Sequence, residues 1–175
     1  DVTTNIISKY ISEHVKLVEY NLNNDYGSFK NYGITQCSGD WIYQLDGDEL
    51  PSEYLLGDNL VELINSNQSI EAYAFPRIND FKGVTDVHAK QWGWRLTTSP
   101  TLNRPLVNYP DYQFRLYKRD PDRINYKRRL HEKIEGYKNF ALIPAEDESL
   151  AIYHDKTIER QVETNLRYNA LFTET

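Results

Sequence analysis

Three acidic residues stand close together at the end of a short apolar segment. Asp46, Asp48 and Glu49 follow residues 41–45, whose nearly continuous apolar character is typical of a strand inside a covered sheet. Grouping carboxylates there is unfavourable unless a cation or hydrogen-bond donors compensate their charge. A divalent ion such as Mg²⁺ or Mn²⁺ does so and also bridges phosphate oxygens. Because Gly47 allows a tight turn, the segment predicts a metal-binding turn, with a solvated acidic turn as the alternative.

The elements around this turn predict an α/β domain. Helical spacing or capping indicates helices at 4–14, 28–37, 51–65 and 156–172, and short apolar runs indicate strands at 15–20, 41–45, 72–75, 113–117, 124–130 and 150–153. Since strands and helices alternate in the first half, we expect a largely parallel sheet whose strand ends bind the ligand. Residues 79–110 are rich in Asn, Asp, Gly, Pro and Trp, and they predict a long functional excursion over one face.

Size and composition restrict the class of protein. The 175 residues fit one domain, and a net charge of -6 argues against general nucleic-acid binding, which requires a basic surface. The basic stretch 118–133 indicates either a solvated strand pair or a cationic wall facing a diphosphate or an anionic acceptor. The one cysteine, Cys37, predicts a reducing compartment, the cytoplasm. No apolar run approaches the ~18–20 residues of a membrane span.

Several segments resemble those of family-2 glycosyltransferases with the GT-A fold. Residues 38–49, Ser-Gly-Asp-Trp-Ile-Tyr-Gln-Leu-Asp-Gly-Asp-Glu, are similar to that family's G-(D/E)-W-I-x-x-L-D-x-D-E segment, and residues 24–34 to its N-x-G-x-x-x-(R/K)-N-x-G helix. Residues resembling a subgroup common in phage, virus and bacterial genomes lie at 76–79, 92–94, 109–118, 130–136 and 153–156. The resemblance covers nearly the whole chain. It implies a GT-A-like (Rossmann-like) fold with a mixed, mostly parallel sheet flanked by helices.

The resemblance departs from the family's pattern at the front of the chain. That pattern opens with a strand and an acidic D-x-S-x-D-x-T loop that holds the nucleotide base. Residues 1–4, Asp-Val-Thr-Thr, resemble only the tail of the loop. We therefore expect residues 1–175 to form a single GT-A domain that lacks the first strand and the nucleotide-loop region of the family's pattern.

The resemblance implies a nucleoside-diphosphate sugar as donor, with a UDP-sugar favoured, and Mn²⁺ or Mg²⁺ as cofactor. Asp46 would face the ribose or the metal, and Asp48 would coordinate the metal directly. Lys30 matches the family's basic helix position near the nucleotide. His154 is the candidate third metal ligand, since neutral imidazole suits a divalent ion beside carboxylates. Lys156 is the nearby basic residue expected to meet the diphosphate.

Transfer with inversion requires a general base that deprotonates the acceptor hydroxyl as it attacks the anomeric carbon. Glu132 and Asp111 are the candidates, and Glu132 is slightly favoured because it falls roughly where the family's base motif would lie. Each is alternatively a structural carboxylate paired with Arg115 or Arg129. Trp92, Trp94 and Tyr109 are candidates for stacking on the sugar faces of a glycan or another hydroxyl-bearing acceptor.

Two other classes of function use similar residues. A metal-dependent nucleotidyltransferase or phosphatase would need additional acidic ligands for a second metal, and the later acids show no obvious arrangement for that. A non-catalytic carbohydrate-binding or structural module derived from a glycosyltransferase would keep the fold without the reaction. Metal-dependent release of nucleoside diphosphate distinguishes the enzyme from the binding module.

Overall fold

The structure is a computed structural model that describes residues 2–99 and 104–172. Its helices are α1 Val2–Ile7, α2 Tyr26–Gln36, α3 Asp58–Ser66, α4 Asp86–Trp92 and α5 Ile158–Phe172, with short 3₁₀ turns at Ser8–Tyr10, Glu53–Leu55 and Glu148–Leu150. Its strands are β1 Trp41–Tyr43, β2 Glu49–Pro51, β3 Ala72–Lys82, β4 Leu96–Thr98, β5 Pro105–Lys118, β6 Asn125–Lys127, β7 Lys133–Glu135, β8 Phe140–Leu142 and β9 Ile152–Thr157.

A mixed sheet flanked by helices organises the chain, which confirms the expected α/β class. The main strand order is β1-β5-β3-β9-β2, with β4 added to β5 and β8 added to β3. Strand β3 runs parallel to β8 and β9, whereas the β1–β5, β3–β5, β4–β5 and β2–β9 pairs are antiparallel. The expectation of a mostly parallel sheet is wrong in this respect. The reason is that the region 79–110 completes β3, forms β4 and begins β5, and β5 pairs antiparallel with both β3 and β4.

Two apolar clusters cover the sheet. One packs α2 and the β6–β7 hairpin around Ile34, Tyr117 and Ile124. The other packs α3 and the turn at Glu53–Leu55 against the sheet around Phe75 and Leu116. Neighbours such as Leu116 and Tyr117 therefore belong to different clusters, and each side chain of this kind contributes roughly 1.5–3 kcal/mol when it is buried. This double coverage explains why β3 and the second half of β5 read as apolar runs.

Several elements differ from the sequence-based expectation. Residues 15–20 form no strand, and Val15, Val18 and Tyr20 stay exposed, because an alternating apolar pattern yields a strand only where a neighbouring strand pairs with it. The helix expected at 51–65 is interrupted at Gly57, whose φ of 81° is outside the helical range. None of the helices in the described part of the chain has the length and apolar character needed to cross a bilayer.

The register between β3 and β5 shifts at two places, and the shift at Arg115 is a single extra residue in β5. Tyr73 pairs with Leu116 and the next residue, Ala74, pairs with Phe114, so Arg115 has no counterpart. Such a bulge changes the direction in which nearby side chains point. Phe114 and Arg115, although adjacent in sequence, consequently line the same cleft.

The β6–β7 hairpin is held against both α2 and β3. The Tyr26 N–H donates to the Arg129 carbonyl at 2.9 Å. A Cβ atom on Gly27 would lie 2.3 Å from the Arg128 carbonyl oxygen, so this approach of α2 to the hairpin requires glycine. At the other end, both carboxylate oxygens of Glu71 accept hydrogen bonds from the Arg123 guanidinium, at 2.8 and 3.0 Å. These contacts fix the loop 128–132 that joins the two strands.

The contact between Glu71 and Arg123 makes the stability of the fold dependent on pH. Hydrogen bonds from Arg123 and from the Lys138 N–H lower the pKa of Glu71 to about 2. Because the folded-state pKa lies below the ordinary value of 4.5, the stabilisation is complete above that value and is lost as pH falls towards 2. We expect Glu71→Gln to lower the urea unfolding midpoint at about pH 7 and to have a smaller effect at about pH 3, where part of the stabilisation is already lost.

The matched control is Glu62→Gln, which changes an exposed carboxylate on α3. Its urea midpoint should follow that of the unaltered protein at both pH values. A deficit for Glu71→Gln that is equally large at about pH 7 and about pH 3 would contradict the assignment.

Candidate functional site

Seven side chains of alternating charge form a continuous series of ion pairs beside the acidic turn. In order, they are Asp111, Arg77, Glu49, Arg115, Asp46, Lys30 and Glu132. They come from three strands, one helix and two loops, so the series exists only when the sheet, α2 and the hairpin are assembled. We call this series the charge chain. It joins the two acids that the sequence offers as a general base, one at each end.

Arg115 lies at the middle of the charge chain. Its Nη2 is 2.6 Å from Asp46 Oδ2 and 2.6 Å from Glu49 Oε1, and its Nη1 donates to Gln44 Oε1 at 3.1 Å. The Arg115 side chain is 5% exposed and that of Glu49 is 0% exposed. Arg77 provides a second partner for Glu49 at 2.9 Å. A buried carboxylate requires such pairing, because its desolvation costs several kcal/mol.

Asp46 is neutralised by protein cations. Its Oδ1 is 3.0 Å from Lys30 Nζ, and its Oδ2 contacts Arg115. Burial tends to raise the pKa of Asp46, but the charges of Arg115 and Lys30 outweigh it and hold the pKa below its ordinary value. The compensation that the sequence assigns to a metal is therefore supplied at Asp46 by two side chains. A third of the Asp46 side chain is still exposed to the cleft.

Asp48 faces a different group. The pairing of β2 with β9 places Glu49 opposite His154, and Asp48 Oδ2 lies 3.4 Å from His154 Nε2. The other ring nitrogen, Nδ1, is 2.8 Å from Asn79 Oδ1. The Asn79 amide nitrogen donates to Asp111 and to the Val107 carbonyl, which leaves Oδ1 as the acceptor for His154.

This arrangement fixes the chemistry of His154. When the imidazole is neutral, its proton is on Nδ1 and its Nε2 lone pair points at a carboxylate, so a proton or a metal ion must lie between Nε2 and Asp48. Contact with His154 lowers the pKa of Asp48 to about 2 despite partial burial. A separation of 3.4 Å is also suitable for two ligands of one ion with bonds of roughly 2.0–2.2 Å.

Few protein side chains are available to coordinate a metal ion at this site. Among residues 2–99 and 104–172, no group of three or more His, Cys, Asp or Glu side chains is arranged to hold a metal ion. Asp48 and His154 are together, while both oxygens of Asp46 contact cations. Two protein ligands nevertheless suit a divalent ion that keeps bound waters and binds substrate phosphates.

Two clefts meet at Asp48. One, of about 470 Å³, is lined by members of the charge chain together with Tyr26, Phe29 and His131. The other, of about 340 Å³, lies between the end of β9 and α5, and its lining includes Lys156, Arg160 and Arg167 together with the carboxylate Glu163. Within the described chain, no carboxylate comes within the 4.0 Å ion-pair distance of these three cations. Their positive charge is thus available to an anion, and we call them the α5 cations.

The electrostatics of Lys156 reflect this uncompensated charge. Burial lowers the pKa of Lys156 below its ordinary value, and repulsion from Arg160 and Arg167 acts in the same direction, while Asp48 opposes them. A bound anion would relieve the repulsion. The role of Lys156 at the diphosphate, which the family resemblance implies, stays a prediction.

A comparison with protein families identifies the architecture. The profile of Glycosyl transferase family 2 matches residues 1–158, which is most of the chain. The chain belongs to this family. A search of curated proteins found no match. Members of glycosyl transferase family 2 generally use nucleotide-sugar donors, divalent metals and a separate acceptor, so the family supports glycosyltransferase activity in general.

The aromatic residues expected to bind acceptor occupy two different environments in this family-2 glycosyltransferase. Trp92 packs on Trp94, and Trp94 contacts Phe81, which in turn contacts His154, with ring centroids 4.7, 5.2 and 5.7 Å apart. Tyr109 is half-buried, and its hydroxyl donates to the Ala145 carbonyl at 2.6 Å. Burial is the main reason that the pKa of Tyr109 is raised to about 12. Tyr109 therefore has an evident packing role.

Sequence reasoning missed several site residues of this glycosyltransferase. Arg77 and Arg115 were available as a signal, because Arg77 directly follows the apolar residues 72–76 and Arg115 stands between Phe114 and Leu116. An arginine in such a position requires a carboxylate partner. Asn79 gave no comparable signal, since its partner His154 is 75 residues away in sequence. Arg160 and Arg167 could have been found from their positions after Lys156 on one predicted helix.

The charge chain predicts a specific pattern of stability. Arg115→Met leaves Glu49 buried with only Arg77, so we expect the free energy of unfolding to fall by about 3 kcal/mol. The double variant Glu49→Leu with Arg115→Met removes both buried charges, and we expect it to be more stable than Arg115→Met alone. Urea denaturation of both variants and of Glu49→Leu provides the measurement. Additive losses in the double variant would show that the two side chains are not coupled.

Proposed function

We propose that this family-2 glycosyltransferase transfers a sugar from a nucleoside-diphosphate sugar, with a UDP-sugar favoured, to an acceptor hydroxyl with inversion, using Mn²⁺ or Mg²⁺. The observation that carries the proposal is the position of Asp48, which lines both the cleft of the charge chain and the cleft of the α5 cations and has the buried His154 3.4 Å away. A cation site beside an unpaired set of positive side chains suits a diphosphate that binds both.

The donor is proposed to span the two clefts. Asp48 and His154 would hold the divalent ion, which supplies positive charge to the leaving diphosphate when it is bound. Lys156, Arg160 and Arg167 would contact the phosphate oxygens directly. Asp46 is proposed to accept a hydrogen bond from the ribose, because its side chain remains partly exposed although both oxygens contact cations. Lys30 would hold Asp46 in place from α2.

Glu132 is the better of the two candidates for general base. Asp111 accepts hydrogen bonds from Arg77, Asn79 and Gln113. Burial tends to raise the pKa of Asp111, but the charge of Arg77 and these hydrogen bonds together lower it. A carboxylate stabilised in this way is a weak base. Glu132 has Lys30 at 2.7 Å as its described partner and lines the cleft.

In the proposed reaction, Glu132 takes the proton of the acceptor hydroxyl while that oxygen forms a bond to the anomeric carbon. The bond between the anomeric carbon and the diphosphate breaks at the same time, and its electron pair leaves with the diphosphate. Positive charge from the α5 cations stabilises the leaving group. Lys30 contacts Glu132 at 2.7 Å and holds it on the wall of the cleft before the reaction.

Replacement of Asp48 tests the proposed enzyme. We expect Asp48→Asn to reduce Mn²⁺-dependent release of UDP from UDP-sugars by at least about a hundredfold, because a neutral amide is a much weaker metal ligand than a carboxylate. UDP release is measured with a coupled assay across several UDP-sugars, with and without EDTA. Asp122→Asn, which changes an exposed turn carboxylate, is the matched control and should behave as the unaltered protein does. Absent release in the unaltered protein would favour a binding module, whereas release that EDTA leaves unchanged would overturn the proposed metal role.

Replacement of the two carboxylates separates the base from the structural acid. We expect Glu132→Gln to lower kcat for sugar transfer by about 10²–10⁴-fold with little change in the Kd for UDP. We expect Asp111→Asn to reduce the urea unfolding midpoint more than Glu132→Gln does, because Asp111 accepts more hydrogen bonds. Transfer kinetics, UDP binding and urea denaturation are measured on both variants. A larger loss of kcat in Asp111→Asn would reverse the assignment.

A further inference from the structure

A third cleft shares no lining residue with the cleft of the α5 cations. It has a volume of about 620 Å³ and runs between β5 and the β6–β7 hairpin. It shares Arg77, Gln113, Arg115, His131 and Glu132 with the cleft of the charge chain. The proposed base is therefore reached from two directions. We call this third cleft the hairpin groove.

Aromatic rings form much of the wall of the hairpin groove. Tyr112 and Phe114 line it from β5, and Tyr137 lines it from the end of the hairpin. Phe114 and Tyr137 stack with ring centroids 5.0 Å apart, and Phe140 contacts the edges of both. The rings are thus held in place by one another before any ligand binds. Preformed aromatic surface of this kind suits the apolar C–H face of a sugar ring.

The polar groups of the hairpin groove are suited to hydroxyl groups rather than to an anion. Arg77 and Arg115 are already paired with carboxylates of the charge chain. Glu132 and Glu135 add negative charge to the lining, and Lys133 adds one positive charge. An anionic ligand would therefore meet less uncompensated positive charge here than beside the α5 cations. Carboxylates and the Gln113 amide are suitable partners for sugar hydroxyls.

We propose that the hairpin groove binds the acceptor, and that the acceptor is an uncharged glycan whose terminal ring lies against Tyr137 with its reacting hydroxyl directed at Glu132. This inference rests on the proposed function, because it assigns the acceptor of that same reaction. It differs from the sequence-based expectation, which assigns the acceptor to Trp92, Trp94 and Tyr109. Those residues are grouped around Phe81 and Ala145 instead of around Glu132.

The test uses methyl glycosides of glucose, galactose and N-acetylglucosamine as probes, with two separate readouts. Saturation-transfer difference NMR reports binding of the glycosides without a donor. Transfer kinetics with UDP-sugars report the KM of the acceptor, and UDP release without acceptor reports donor hydrolysis. We expect Tyr137→Ala to raise the acceptor KM about three- to tenfold, which corresponds to loss of one aromatic contact. Donor hydrolysis should not change.

Companion variants distinguish recognition from a general loss of folding. Tyr137→Phe keeps the ring and should retain both binding and KM. Glu135→Gln lies on an exposed strand position, so it should fold normally while weakening glycoside binding. Tyr10→Ala removes an exposed tyrosine remote from the groove in sequence and should have no effect. Trp92→Ala tests whether the acceptor binds instead at Trp92 and Trp94.

Each result bears on one of the two proposals. If the unaltered protein releases no UDP from the donors, the proposed function fails, while Tyr137-dependent glycoside binding would still support the hairpin groove as a glycan site. If UDP is released but Tyr137→Ala and Glu135→Gln match the unaltered protein in glycoside binding and KM, the groove assignment is overturned. The assignment is also overturned if Trp92→Ala alone raises the acceptor KM, or if none of the glycosides binds.

Discussion

The ion pairs of Arg115 with Asp46 and Glu49 are the interaction on which the site depends. A guanidinium that is 5% exposed and a carboxylate that is 0% exposed are stable together only because each compensates the other. Arg115 belongs to β5, whereas Asp46 and Glu49 flank the turn between β1 and β2. Their contact therefore holds the turn against the centre of the sheet. With the turn fixed, Asp48 is left facing His154 rather than the interior.

Compensated and uncompensated charges are distributed differently in the molecule. Each side chain of the charge chain contacts at least one side chain of opposite charge, and these ion pairs hold loops and strands in place. The α5 cations and the Asp48–His154 pair lack that internal balance. Unbalanced charge is costly for a folded protein unless solvent or a ligand offsets it. The contrast separates charges that the protein itself pairs from charges that are left for a ligand, while Asp46 and Glu132 combine pairing in the charge chain with a proposed role in the reaction.

Local sequence patterns predicted much of the fold. Most of the differences between that prediction and the structure come from pairing between strands that are distant in sequence. Helices α2 and α5 and strand β1 follow from spacing within a few residues. The acidic residues 46–49 that follow β1 also predicted the turn that the structure has there. No local pattern could show that β2 pairs with β9, and this pairing is what places Asp48 beside His154. Likewise, the strands within 79–110 were hidden because Asn, Asp and Pro interrupt their apolar residues.

Because of the bulge at Arg115, the number of residues in β5 cannot change without consequences for the site. Side chains along a strand alternate between the two faces of the sheet. When one residue is added or removed, every side chain beyond that position therefore moves to the opposite face. Without the additional residue, the part of β5 that contains Asp111 would present its other face to Arg77. A single-codon deletion in this strand would therefore misdirect a whole row of side chains, whereas many point substitutions there would alter only one.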